Sequence, residues 1–149
     1  MTETQPVMFG GRGDPPRFAP FSNFHSAPIR LEGKIWATME HFYQAQKAFI
    51  PSDVERVRCC VKAWQAKAMG RRIPLHPDWE DRKVWEMYRG VREKFRQHRG
   101  LRQLLLSTGL RPIHENRPDP YWGGGPNYPE GQDLLGKILV LLRREFYGS

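Results

Sequence analysis

Between Thr38 and Phe49 the chain reads Thr-Met-Glu-His-Phe-Tyr-Gln-Ala-Gln-Lys-Ala-Phe, which sets a carboxylate, an amide and an amine at offsets of four and seven: Glu40, Gln44 and Lys47. On a helix these three share one stripe, while Met39, Phe42, Ala45 and Phe49 share another. Held in fixed register, a carboxylate can move protons, an amide can orient a polar ligand, and an amine can act as base or nucleophile. Taken on periodicity alone, such a stripe is more often a solvated face with a Glu-to-Lys arrangement.

A second group is Asp119-Pro120-Tyr121-Trp122-Gly123-Gly124-Gly125. Three glycines permit backbone amides to approach a ligand closely, and exposed N–H groups there can hold a phosphate. No Gly-Lys-Ser/Thr follows, so this is not a Walker loop, and Asp119 taken alone reads first as a turn cap. A third group is Lys67-Ala68-Met69-Gly70-Arg71-Arg72, followed by Asp78-Trp79-Glu80. Lys67, Arg71 and Arg72 can neutralise a phosphate, or simply offset the negative end of their own helix. Trp79 reads as core by default and as a stacking surface for a base otherwise.

Positioning these groups requires mostly helices. Thr38 is placed to cap a helix over 38–49 that Pro51 closes. Asp53 starts a second helix with Val54, Val57 and Val61 on one stripe, and a third, over 63–69, ends at Gly70 in the left-handed position. The longest helix follows Asp78, with Val84, Met87, Val91 and Phe95 facing the core and Gly90 weakening it by roughly 1 kcal/mol relative to Ala. A short apolar helix, Leu101–Ser107, ends before Gly109. The last helix runs over 134–146, with Arg143 and Arg144 near its negative end. Ile29, Leu31 and Lys34-Ile35-Trp36 alternate around Glu32-Gly33, a hairpin signal. From Arg111 to Gly131, prolines and glycines forbid a continuous element. So long an irregular stretch, rich in Tyr and Trp, points to a site. The expected class is α+β, mainly helical with a few short strands, in one domain over residues 1–149 with its core at about 8–146.

Composition bounds the function. The 149 residues carry 24 Lys and Arg against 16 Asp and Glu, a net charge of +8, which favours anionic partners such as phosphorylated metabolites, a dinucleotide or a nucleic-acid backbone. The longest apolar run, Ile138–Leu142, falls far short of the roughly 20 residues a membrane span needs. Met1–Gln5 shows no basic-then-apolar leader, so the expected address is cytoplasmic and no membrane is involved. Cys59 and Cys60 are adjacent, ill suited to a disulfide, and expected to be buried or idle. The five histidines have no ligand spacing, so no metal and no cofactor is expected.

Several of these segments together resemble the NADAR (YbiA-like) family. They are Phe21-Ser22-Asn23-Phe24, Glu40-His41-Phe42-Tyr43-Gln44-Ala45-Gln46-Lys47, Ala66-Lys67 with Gly70-Arg71, Asp78-Trp79-Glu80, Lys94-Phe95, Leu104-Leu105 with Thr108-Gly109, and Asp119 with Trp122-Gly123. The resemblance runs from about Phe9 to Arg143. It implies a YbiA-like, compact single-domain fold and an enzyme, a hydrolase acting on N-glycosyl compounds. Family substrates are phosphoribosylaminopyrimidine intermediates of riboflavin biosynthesis, or ADP-ribosylated guanine, free or within nucleic acid. By matched position, Glu40, Trp79 and Asp119 fall on residues regarded as active in the family, and Lys47 lies in its helix signature. Two positions depart from the pattern. Met39 stands where a small hydroxyl residue often precedes the Glu. Asp133 stands in Gly131-Gln132-Asp133-Leu134-Leu135-Gly136 where the family has Asn; it keeps the ability to cap the last helix and adds a charge.

The mechanism implied is N-ribosyl cleavage by two carboxyl groups, Glu40 and Asp119, one protonating the leaving nitrogen and the other steadying the sugar cation and activating water. Lys47 offers a Schiff-base route. Asn23, Gln44, Lys67, Arg71, Trp79, Trp122 and Gly123 are the expected substrate-binding residues, the tryptophans stacking on the base and the cations and glycine-loop amides holding phosphate. The rival is a non-catalytic ADP-ribose or nucleic-acid binding module. The basic balance tilts slightly toward an ADP-ribosyl or nucleic-acid ligand.

Overall fold

The computed structural model describes residues 4–149; Met1–Glu3, part of the segment read above for a leader, lie outside the described residues. The chain packs as two units, a central one of residues 23–97 and a terminal one of residues 4–22 with 98–149. The helices and few short strands are those of the expected α+β, mainly helical class. Among the described residues no helix is long and apolar enough to cross a membrane.

The central unit opens with strands β2 (Ser26–Leu31) and β3 (Lys34–Thr38), paired antiparallel; β1 (Val7–Phe9) belongs to the terminal unit. Glu32 and Gly33 turn the hairpin with φ of 57° and 73°, the two left-handed residues that a type I′ loop demands. Ile29 and Trp36 face each other across the pair and are buried. Thr38 then caps helix α1 (Met39–Gln46), its hydroxyl accepting the His41 N–H at 3.2 Å. Helix α1 ends three residues earlier than the sequence suggests, and Phe49 is exposed beyond it. Pro51 does not close α1; it opens α2 (Pro51–Arg58), where its fixed φ and missing N–H fit the first helical turn. Asp53 therefore lies inside that turn, paired with Arg56 at 3.1 Å. Val57 is buried on α2, but Val61 lies past the helix end and is exposed.

Helix α3 (Ala63–Gly70) keeps Gly70 inside its last turn, and its φ is not left-handed. The capping explanation is corrected: a Cβ at Gly70 would lie 1.9 Å from Gln44 Oε1, so glycine is there to let α3 approach α1. Gly90 of α4 (Trp79–Gln97) does the same, since a Cβ there would lie 2.4 Å from Met39 Cε. Met87, Val91 and Phe95 are buried on α4 as expected, while Val84 is exposed, a turn too early for the core.

In the terminal unit, β1 (Val7–Phe9) pairs parallel with β4 (Ile113–Glu115), and a 3₁₀ helix, Pro16–Phe21, sets Phe21 edge-on to Phe9 at 5.9 Å. Helix α5 (Arg99–Ser107) begins two residues earlier than expected and is followed by Gly109 with φ of 63°, a left-handed conformation that glycine adopts readily after a helix end. Helix α6 (Leu134–Tyr147) buries Leu135, Leu139 and Leu142. Asp133 precedes α6 with φ of 55° and makes no side-chain cap, contrary to expectation. Its carboxylate instead accepts the Glu115 N–H at 3.2 Å and pairs with His114 Nδ1 at 2.6 Å. Of the two alternatives for the cysteines, burial does not hold: Cys59 is exposed and Cys60 half-buried, both free.

Candidate active site

In the central unit, α1 carries the stripe. Glu40 is 6% exposed and Gln44 4%, so the face is buried and the reading as a solvated stripe is overturned. The Asn23 carbonyl accepts the Glu40 N–H at 3.0 Å, and Gln44 Nε2 donates to Glu40 Oε2 at 2.6 Å. The first bond pins the start of the helix to the segment before β2; the second fixes the carboxylate's orientation. Two acceptors remain unsatisfied: Asn23 Oδ1 and Gln44 Oε1 are buried and without a hydrogen-bond partner among the described residues. Asn23 spends its Nδ2 on the Met87 sulfur at 3.4 Å. Buried polar atoms are nearly always paired, so two orphans on adjoining elements of one unit ask for donors from elsewhere.

The next turn brings Lys47. Burial pushes its amine below the ordinary lysine range; Glu40 opposes that shift, and Arg71, Lys67 and Lys83 reinforce it. The Lys47 amine thus feels one carboxylate and three cations, of which Lys83 is itself paired with Glu80 at 2.6 Å. Lys47 Nζ lies 5.4 Å over the Tyr43 ring, and Lys67 Nζ lies 5.7 Å over Phe24. Trp79 is buried, as its core reading required, and leans on Tyr43 with centroids 5.3 Å apart. The structure therefore links Glu40, Lys67 and Arg71 to Lys47 electrostatically, and Gln44 to Glu40 by a hydrogen bond. Lys83, one turn beyond Trp79 on α4, is the member that sequence reasoning missed. Its position four residues after Trp79, on the same helical face, was the available signal.

Behind the stripe, His41 Nε2 lies 2.8 Å from the Cys60 carbonyl, which can only accept, so this nitrogen carries a proton. Its Nδ1 meets the Thr38 hydroxyl at 2.8 Å. The capping residue of α1 is thereby locked to the end of α2, a rigid mount for Glu40 two residues on.

In the terminal unit, Asp119 Oδ1 accepts the N–H groups of Tyr121 and Trp122, each at 2.9 Å, so this carboxylate does cap a turn. Trp122 is half-buried and stands edge-on to Tyr121 at 4.8 Å. The glycine loop differs from expectation. The Gly123 N–H is bonded to the Asp119 carbonyl and the Gly124 N–H to the Glu115 carbonyl, both at 3.0 Å, so neither amide is open to a phosphate. A Cβ at Gly123 would lie 2.4 Å from the Arg117 carbonyl, and one at Gly124 would lie 2.6 Å from Asp133 Cβ. These glycines exist because the loop folds tightly on itself. Among the described residues no group of three His, Cys, Asp or Glu could hold a metal ion.

This arrangement, a buried carboxylate steered by an amide and coupled to a lysine amine, sits in a chain that matches the NADAR domain over residues 9–147, across both units. The chain belongs to the NADAR family. It is 39% identical over 131 residues to N-glycosidase YbiA of Shigella boydii, covering 86% of this chain and 81% of that one. It is 34% identical over 151 residues to the maize protein named chloroplastic riboflavin biosynthesis protein PYRR, covering 89% of this chain and 24% of that longer protein. The NMR structure of Escherichia coli YbiA superposes with a TM-score of 0.84 at 36% identity, covering 96% of this chain and 85% of that one. The expected fold is therefore the one found, and the expectation of an enzyme, a hydrolase acting on N-glycosyl compounds, is borne out by these relatives.

Proposed function

We propose that this NADAR-family hydrolase, a single domain over the whole chain, cleaves the N-ribosyl bond of a phosphorylated N-riboside, with Glu40 and Asp119 as the two reacting carboxyl groups. The observation that carries the reading is the state of Glu40: buried, oriented by Gln44 and coupled to the Lys47 amine one turn further along the helix. Cleavage breaks the bond between the sugar's anomeric carbon and the base nitrogen. The electron pair leaves with the nitrogen, which takes a proton from one carboxyl group. Water adds to the anomeric carbon and gives its proton to the other. Lys67, Arg71 and Lys83 offset the charge of the substrate's phosphate, Asn23 and Gln44 accept from its hydroxyl or amino groups, and Trp122 offers a stacking surface to the base, while Trp79 backs the site from the core.

A lowered Lys47 also supports a covalent variant. Its neutral amine attacks the anomeric carbon, the protonated base departs, and the ring-opened sugar is held as an imine until water releases it. Between substrates, the names of relatives such as the maize riboflavin biosynthesis protein favour phosphoribosylaminopyrimidines, and the net charge of +8 favours ADP-ribosylated guanine. The test offers both to the purified protein and follows released base and ribose phosphate by mass spectrometry. Glu40→Gln and Asp119→Asn, checked as folded, are each expected to lose at least about a hundredfold in turnover. Full activity in both overturns the assignment, and binding without any product makes the chain a binding module. Borohydride added during turnover is expected to trap an adduct on Lys47 in the covalent variant; no adduct under turnover leaves direct hydrolysis.

A further inference from the structure

The terminal unit holds a second constellation that N-ribosyl cleavage leaves unused. Along α5 and α6 runs a cavity of about 730 Å³ whose apolar wall includes Leu110, Leu141 and Tyr147 and whose polar wall is Lys137, Arg143 and Arg144. Its size falls in the range of small-molecule sites, about 300–1,000 Å³. Leu110 is 97% exposed, an apolar side chain held in water at the cavity edge.

Arg143 is the informative residue. It is only 8% exposed. Its Nη1 donates to Thr108 Oγ1 at 2.9 Å and to the Arg111 carbonyl at 2.7 Å, both neutral acceptors. Burial lowers its pKa with no neighbouring carboxylate acting against that shift. A guanidinium stays charged all the same, and buried charges are ordinarily paired because losing their water is costly. Thr108 caps α5, so the negative end of that helix supplies about half a charge of compensation. Among the described residues no carboxylate supplies the rest. Both hydrogen bonds leave Nη1, which reserves the Nε and Nη2 edge, the edge suited to a bidentate carboxylate. Among the described residues no acidic side chain lines the cavity.

We propose that this cavity binds a small amphipathic anion, an acyl or aryl carboxylate, with its carboxylate on Arg143 and Arg144 and its apolar body along Leu141 and Tyr147. A second copy of the chain is the poorer occupant, because two such faces meeting about a twofold axis bring Lys137 and Arg144 against like charges.

The test uses the whole protein with anilinonaphthalene sulfonate as fluorescent reporter, displaced by decanoate or by decyl alcohol. The expected result is one-to-one displacement by decanoate at a concentration at least tenfold below that of the alcohol. Lys137→Glu combined with Arg144→Glu alters only exposed side chains and is expected to raise the decanoate midpoint at least tenfold. Arg143→Gln is expected to do the same where circular dichroism shows it folded. Absence of displacement, equal displacement by the alcohol, or a wild-type midpoint in the Lys137/Arg144 variant overturns the proposal. So does concentration-dependent dimerisation, seen by sedimentation, that shuts the reporter out.

Discussion

Glu40 and Asp119 are carboxylates in two differently built surroundings. Glu40 sits on a rigid helix, buried, with one amide bonded to it and the Lys47 amine coupled to it. Asp119 sits in a loop, half-buried, with one oxygen already holding two backbone N–H groups. The helix gives its carboxylate orientation through a side chain that a single substitution can remove. The loop gives its carboxylate orientation through the main chain, which side-chain substitution barely touches. Environments this different are how two like groups come to play unlike roles in one reaction.

The largest effect expected follows from that contrast. Glu40→Gln and Asp119→Asn each cost at least about a hundredfold in turnover if each serves the same bond cleavage. Groups acting as a unit are then non-additive, so the double variant is expected to lose little beyond the worse single variant. Steady-state turnover of the three variants measures this. Losses that multiply mean the two carboxylates act in separate steps.

Next come the glycines. Gly123→Ala sets a methyl group against the Arg117 carbonyl, 2.4 Å away in a main chain that cannot swing aside. The expected cost is about 2 kcal/mol of stability, typical of overpacking, seen as a drop in melting temperature. Gly70→Ala meets mainly the far end of Gln44 at 1.9 Å, a side chain that can rotate. It is expected to keep most of its stability and lose about tenfold in turnover, because rotation takes Gln44 off Glu40 and the orienting hydrogen bond with it. Unfolding of both variants alike would erase the distinction between loop and helix.

The same residues mark where the sequence was legible and where it was not. Period 3.6 placed Glu40, Gln44 and Lys47 on one stripe, and the Glu32-Gly33 turn was readable because few residue pairs tolerate two left-handed conformations. Periodicity carries no information about what covers a polar face, so the burial of the stripe at Gln44 appears only once α3 packs on α1 at Gly70. Glycine is ambiguous for a related reason: Gly70 suggests a cap, and Gly123 to Gly125 suggest a phosphate loop, when close approach is what at least Gly70, Gly123 and Gly124 provide. The parallel pairing of β1 with β4 joins three-residue strands more than a hundred positions apart, a length with no periodic signal to read. Asp133 looked like a cap and became the partner of His114, a choice made by tertiary contacts.

A second contrast, between buried cations, yields the smallest effect. Arg143 keeps its proton in the folded protein, whereas Lys94 of α4 is fully buried and burial pulls its pKa from 10.5 down to about 7. The unfolded chain holds that proton up to about 10.5 and the folded chain releases it near 7, so between those values the unfolded state binds more protons. Stability therefore climbs with pH across that window, and the full penalty is felt below it. Lys94→Met removes the titration: it is expected to gain about 1 kcal/mol over the parent at pH 6, or about 3 °C in melting temperature, with the advantage fading toward pH 10. Melting curves at three pH values decide it. An equal loss at every pH would show that the amine contributes through its contacts and that its proton is irrelevant to the fold.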